Sequence, residues 1–266
     1  MLQRLLLDGF FLPSSGAPNC RLFVLPKTDK KCSLIADLRP INSLHPGPLP
    51  GFRLPTPGTI LQELVRVPFS PLFACTIDLT NFYWSLELPL DWVVVFRVPG
   101  GTYRSLPFGW NLAPVIAQTV LGEFLMHLFV AEGLLPFFGC SLWYWTYLDD
   151  VLVVSSDILL ASSCATLLAS GMTAAELVIS PKSLLTPSSC VTWLGKVWNF
   201  ANRSICPTTV SSGRAVALSL LAAVVPLSVK RMDTLLGTLN WCFSPRPGGN
   251  LFLSPWCSWR FSSSRF

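Results

Sequence analysis

Charge is scarce in this chain of 266 residues: Asp, Glu, Lys and Arg make up 12% of it, about half the usual share. The formal net charge is +5, from 19 basic and 14 acidic side chains. That falls far short of a polybasic protein and leaves only a mild bias toward polyanionic partners. Histidine is almost missing, with His45 and His127 alone, and no two of the nine cysteines stand at Cys-x-x-Cys spacing. A structural zinc site or zinc knuckle therefore has no ligand set, and the cysteines read as small buried hydrophobes in a reducing compartment. There is no internal repeat and no long low-complexity tract, so the length points to one large domain or two modest ones.

Apolar residues, by contrast, reach 51%, and that raises the question of a membrane. The stretch from Phe124 to Leu148 has about the length of a span. It holds His127, Glu132 and Pro136 and runs straight into Asp149 and Asp150, an uncomfortable composition for a membrane helix. The run Ala215 to Val225 is too short to cross, and the run Leu5 to Leu12 is cut by Asp8, which makes a poor signal peptide. An integral membrane protein is thus a reading that mean hydropathy alone supports.

Local patterning predicts a mixture of strands and helices without strict alternation, which favours an α+β fold over a doubly wound sheet. The Pro- and Gly-rich segment His45 to Pro57 reads as an extended connection, followed by a short helix over Ile60 to Val67. Strands are expected at Phe73 to Leu79 and Val93 to Val98. Pro99-Gly100-Gly101 then turns the chain into Thr102 to Leu106. Ala113 to Ala131 has a long helical pattern, and Trp143 to Val154 splits into two strands around Asp149-Asp150. Asp157 suits a helix N-cap and Gly171 the end of that helix. Val191 to Phe200 reads as a strand pair. Two helices follow, about Gly213 to Val225 and Val229 to Phe243, separated by Pro226.

Three aspartates stand out because each sits in an apolar strand, where an ionised carboxylate is costly without a partner. Asp78 follows Thr76-Ile77; Asp149 and Asp150 lie between Tyr147-Leu148 and Val151-Leu152-Val153-Val154, with no Lys or Arg nearby in sequence. Two acids on a hairpin tip and a third on a neighbouring strand suit a divalent ion held by hard oxygen ligands. An isolated Asp-Asp pair is more often a polar turn; the order of the surrounding motifs reverses that balance.

Six blocks occur in one order: FVLPKTDKKCSLIADLRPIN from Phe23, FACTIDLTNFYWSLELP, TYRSLPFGWNLAPVIAQ, YLDDVLVVSSD, SPKSLLTPSSCVTWLGKV and VKRMDTLLGTLNW. Together they cover roughly Phe23 to Trp241, and in this order they resemble the reverse transcriptases of retroviruses, pararetroviruses and LTR-type retroelements. The resemblance implies a right-hand polymerase: fingers at 1–53 and 86–112, palm at 54–85 and 113–201, thumb at 202–266. It implies an RNA-directed DNA polymerase that adds dNTPs to a primer on an RNA or DNA template, inside the cell (cytoplasm or nucleus) and away from membranes. Two Mg²⁺ ions, or Mn²⁺ in their place, would be held by Asp78, Asp149 and Asp150.

Further roles follow from the same resemblance. Lys182 would lie near the departing pyrophosphate and protonate it. Tyr83 would sit under the sugar and exclude a ribose 2′-hydroxyl. Lys27 and Arg39 would clamp the triphosphate, although Ser33 stands where related enzymes often carry a basic residue. The segment Leu106 to Trp110, with Phe108 and Gly109 at its tip, would pack against nucleotide and template base, and Gln118 would face the template. Trp193, Leu194 and Gly195 would grip the primer end, and Lys230 and Arg231 would reach duplex phosphates. Nothing after the thumb resembles the acids of an RNase H, so the expectation is the polymerase part of a larger polyprotein. A polymerase relic that binds nucleic acid without catalysis is the alternative within the same fold.

Overall fold

The computed structural model describes residues 9–28, 31–44, 53–67, 70–224 and 228–243. Its strands are β1 (Phe11–Leu12), β2 (Arg21–Thr28), β3 (Lys31–Asp37), β4 (Phe73–Thr80), β5 (Arg97–Val98), β6 (Gly101–Tyr103), β7 (Leu142–Tyr147), β8 (Asp150–Ser155), β9 (Val178–Ile179), β10 (Leu184–Ser188), β11 (Cys190–Trp193), β12 (Lys196–Asn199) and β13 (Ser204–Pro207). The helices are α1 (Arg39–Asn42), α2 (Pro57–Val65), α3 (Phe82–Ser85), α4 (Leu90–Val93), α5 (Ala113–Ala131), α6 (Ile158–Ala174), α7 (Thr209–Val224) and α8 (Val229–Phe243), with a 3-10 turn at Leu135–Phe137.

The central sheet is antiparallel in the order β10-β4-β8-β7, with β9 paired to the end of β4. Strands β4, β7 and β8 are near-continuous apolar runs because both their faces are covered. Alternation decides which residue meets which layer. Ile77, Leu79, Val151, Val153 and Leu142 enter a core with Ala117, Leu121, Leu125 and Phe129 of α5 and with Cys164, Leu168 and Met172 of α6. Ala74, Leu152, Val154, Trp143 and Trp145 enter a second core with Ile60 and Leu64 of α2 and with Val191, Trp193 and Trp198 of the sheet β11-β12-β13. The β2-β3 hairpin and the small sheet β1-β6-β5 lie apart from this sheet in the pairing scheme.

Helix boundaries follow local chemistry. Pro114 is tolerated in the first turn of α5, and Ala113, Ala117, Leu121, Leu125 and Phe129 form its buried stripe at four-residue spacing. Asp157 caps α6, accepting from the N–H groups of Leu159 at 2.8 Å and Leu160 at 3.3 Å. Among the described residues α5 is the one helix long and apolar enough to cross a membrane. The stretch Phe124 to Leu148 is no continuous span: α5 ends at Ala131, the 3-10 turn follows, and β7 begins at Leu142.

Some expectations give way. Helix α2 starts at Pro57 rather than Ile60, because Thr56 and Thr59 form a reciprocal capping box with Pro in the first turn. The rest of the expected extended connection, 45–52, and Pro226 lie outside the described residues. Val93 to Val98 is not one strand. A one-turn helix, α4, begins after Pro89, and only Arg97–Val98 pairs. Tertiary packing wins there: the rings of Trp92 and Phe96 lie 5.3 Å and 5.0 Å from that of Trp110. Gly171 does not end its helix, which continues to Ala174. A Cβ at Gly171 would come within 2.6 Å of Leu128 Cδ1, so the glycine is there to let α6 approach α5.

Candidate active site

The pairing of β4 with β8 sets Asp78 directly opposite Asp150, so both carboxylates leave the same face of the sheet. Asp149 occupies the turn just before β8, and its carbonyl accepts from the N–H of Leu79 at 3.0 Å. The three acids named from sequence are thus brought to one end of two adjacent strands. Leu148, at the same turn, has φ 57, a left-handed conformation that costs a non-glycine residue about 1–2 kcal/mol.

Two devices hold that backbone. Gln118 on α5 donates from Nε2 to the Thr146 carbonyl at 3.0 Å and contacts Thr146 Oγ1 at 2.6 Å, while its Oε1 accepts from the Leu148 N–H at 2.7 Å. On the other strand, the Asp78 N–H donates to Ser183 Oγ at 3.0 Å, and the Asp78 carbonyl accepts from the Ser180 N–H at 2.7 Å. The Ser180-Pro181-Lys182-Ser183 loop is therefore stapled to β4 at the acid. Lys182 is exposed there, and its charge draws the Asp150 carboxyl down.

The electrostatics are those of an acid cluster short of cations. Asp150 is pushed up to about 7, by burial first, then by Asp149 and Asp78. Asp149 is raised by burial and by Asp78. Among the described residues no three His, Cys, Asp or Glu side chains converge as a ready-made metal cage. Mg²⁺ is usually held by one or two carboxylates plus waters and substrate phosphates. The donor set, hard carboxylate oxygens on two adjacent strands, fits such an ion.

Tyr83 and Phe108 meet edge to face at 5.5 Å and 68°. Burial raises the Tyr83 hydroxyl, and Asp149 raises it further, so this aromatic pair stands beside the acids. Phe108 is 69% exposed and is followed by Gly109 at φ +99. Leu106 and Trp110, at 2% exposure each, are buried instead, so only the tip of that segment offers itself to a ligand. Asn42, which sequence reasoning passed over, fixes the tip: its Nδ2 donates to the Gly109 carbonyl and its Oδ1 accepts from the Asn111 N–H, both at 3.0 Å. Its place in the Arg-Pro-Ile-Asn end of the first block was the available signal.

Other residues named from sequence are placed differently. Gln118 does not present its amide to a template, because both ends of that amide are engaged with the hairpin. Trp193 is 3% exposed and packed in the second core against Trp198, so its ring grips no primer. The surface turn is Leu194-Gly195, with φ 49 and 67. Arg39 is exposed, but its fork is closed on Asp37, with Nε to Oδ1 at 2.7 Å and Nη2 to Oδ2 at 2.6 Å. That guanidinium holds the Asp37 carboxyl at about 2. Lys27 lies in β2, with its side chain outside the described part. Lys230 and Arg231 are exposed at the start of α8.

Comparison with known proteins places this arrangement. The Gag-Pro-Pol polyprotein of sheep pulmonary adenomatosis virus is 26% identical over 257 residues, which is 91% of this chain and 13% of the polyprotein. The dRH form of the foamy viral protease-reverse transcriptase in complex with double-stranded DNA superimposes with a TM-score of 0.71 at 20% identity, over 96% of this chain and 41% of that one. The foamy viral protease-reverse transcriptase in complex with an RNA/DNA hybrid gives a TM-score of 0.71 at 20% identity, over 97% of this chain and 32% of that one. The chain therefore spans less than half the length of these relatives, and the α+β fold they share is that of a polymerase domain. The family model for reverse transcriptase (RNA-dependent DNA polymerase) matches residues 14–197, most of the chain and all three acids, and the chain belongs to that family.

Proposed function

We propose that this chain is a retroelement polymerase domain that adds dNTPs to a primer 3′-end on an RNA or DNA template. The observation that carries the proposal is the cross-strand pairing of Asp78 with Asp150, with Asp149 on the adjoining turn and Tyr83–Phe108 beside it. In this reading the central sheet with α5 and α6 is the palm, the β2-β3 hairpin belongs to the fingers, and α7-α8 form the thumb. The foamy viral relatives were captured on a DNA duplex and an RNA/DNA hybrid, and that class of ligand is the one proposed here.

Asp78 and Asp149 hold divalent metal, with Asp150 in or beside the shell. When bound, Mg²⁺ supplies acidity to the primer hydroxyl and neutralises the triphosphate. The chain's own residues do the positioning. Ser180, Ser183 and Gln118 fix the backbone that carries the acids. Tyr83 lies under the sugar, braced by Phe108, and there a ribose 2′-hydroxyl collides with its ring. Lys182, already within electrostatic reach of Asp150, meets the pyrophosphate as it departs and protonates it. Arg39 serves the triphosphate only by sharing its fork with Asp37.

Primer extension on an RNA template with dNTPs and Mg²⁺, beside an Asp149→Asn control, tests this reading. Extension by the wild type alone is expected. A folded wild type that extends neither RNA- nor DNA-templated primers would overturn the catalytic reading in favour of the relic.

A further inference from the structure

Lys196 is the one charged side chain, among the described residues, that is buried, and its exposure is 0%. A lysine sealed from water is costly unless something takes up its charge. Its ammonium donates to the Trp241 carbonyl and lies 4.4 Å from the centroid of the Trp241 ring. Trp241 belongs to the last described turn of α8, toward the negative end of the helix dipole. A buried cation from β12 thus meets the C-terminal part of α8, and the tryptophan ring adds a cation–π contact.

Neighbouring contacts show what this one joins. Lys196 directly follows the Leu194-Gly195 turn, and a Cβ at Gly195 would stand 3.7 Å from Trp241 Nε1. The N–H of Thr208, just before α7, donates to the Gly195 carbonyl at 3.3 Å. Cys242 Sγ reaches the Ser211 carbonyl of α7 at 3.8 Å, tying the end of α8 to the start of α7. One surface turn is therefore bonded to the root of α7 and, through Lys196, to the end of α8. Burial holds the ammonium below the ordinary lysine range.

We propose that Lys196 is a positioning residue that latches the α7-α8 pair to the Leu194-Gly195 turn, so that both hold a primer–template duplex as one rigid unit through successive additions. The duplex rests on the proposed function; the latch rests on the contacts just described. For α8 to swing away, the ammonium must leave a carbonyl and a ring together. A hydrogen bond to a charged group corresponds to roughly tenfold to a hundredfold in such an opening equilibrium.

Lys196→Met keeps the length of the side chain and removes its charge. In this variant, α8 backbone amides should exchange with deuterium at least about tenfold faster than in the wild type. Product length per binding event, measured with an excess of trap, should fall, while the rate of single-nucleotide addition from a preformed complex stays within about twofold. A merely structural role would lower both activities together or neither. Wild-type exchange and wild-type product length in a folded Lys196→Met protein would overturn the latch. If that variant does not fold, Trp241→Leu, which keeps both the lysine and the carbonyl, must shorten the products in the same direction, and unchanged length would again overturn it. A wild type that adds no nucleotide defeats the catalytic reading, and the exchange of α8 then decides the latch on its own.

Discussion

Gln118→Met is the most informative perturbation of the turn that carries Asp149. Methionine has the reach of glutamine but cannot replace an amide that donates to the Thr146 carbonyl, meets the Thr146 hydroxyl and accepts from the Leu148 N–H. Three such contacts at about 1 kcal/mol each give ~3 kcal/mol as an upper value. Relaxation of Leu148 from φ 57 returns about 1 kcal/mol of backbone strain. The expected net loss of stability is about 2 kcal/mol, read from urea unfolding in the presence of EDTA. Relaxation also moves Asp149, the next residue, and a displacement of about 1 Å costs on the order of a hundredfold in rate. Single-turnover addition should therefore slow by about that factor, with the KM for dNTP changed less than about threefold, because the positioning lost is that of the acid. Thr146→Val serves as a graded control that touches only one of the three contacts. If Gln118→Met keeps wild-type addition and unfolds within about 0.5 kcal/mol of wild type, the clamp is not what sets the turn.

Two other outcomes are expected. Tyr83→Ala should lower discrimination between dNTP and rNTP, measured as the ratio of kcat/KM values, by at least about tenfold, or ~1.4 kcal/mol; unchanged discrimination would remove Tyr83 from the sugar gate. Because the Asp150 carboxyl is raised from 3.8 to about 7, its contribution to stability is complete below the unfolded value and is lost as pH rises through about 7. With EDTA present, wild type should therefore lose about 1–2 kcal/mol relative to Asp150→Asn between pH 4 and pH 8, the full linkage of ~4 kcal/mol being reduced by the water that reaches this group. Parallel stability curves for the two proteins would refute it.

What was legible in the sequence was whatever local periodicity encodes. The bounds of α5, the strands on either side of Asp149-Asp150, the cap at Asp157 and the three acids in apolar strands all follow from patterns read within one segment. What was not legible depends on neighbours distant in sequence. Gly171 looks like a helix end until Leu128 of α5 is seen against it. Val93 to Val98 has the composition of a strand, yet the aromatic cluster around Trp110 decides its path. Trp193 stands in a motif that implies contact with primer, but strand alternation turns its ring into the second core. The partners of Gln118, Asn42 and Lys196 all lie on other elements, and a polar residue on its own segment does not announce which backbone group it holds.

The costs in this fold are unevenly spread, and their location has a physical reading. Asp149 and Asp150 are half-buried acids, Asp149 raised by burial and Asp78, Asp150 by burial, Asp149 and Asp78, and they follow a leucine in a left-handed conformation. Each feature is unfavourable by itself, and together they would let the turn relax were its backbone free to move. It is held on both sides instead: the Leu148 N–H by Gln118, the Asp149 carbonyl by the Leu79 N–H, and the Asp78 backbone by Ser180 and Ser183. These bonds fix main-chain atoms and leave the negative charge of the carboxylates unbalanced, with the exposed Lys182 lowering only Asp150. A site organised merely for stability would place a cation against those acids, as Arg39 is placed against Asp37 within the first block. A rigid main chain bearing repelling acids gains most from a bound cation, which is the role that the proposed polymerase reading gives these acids.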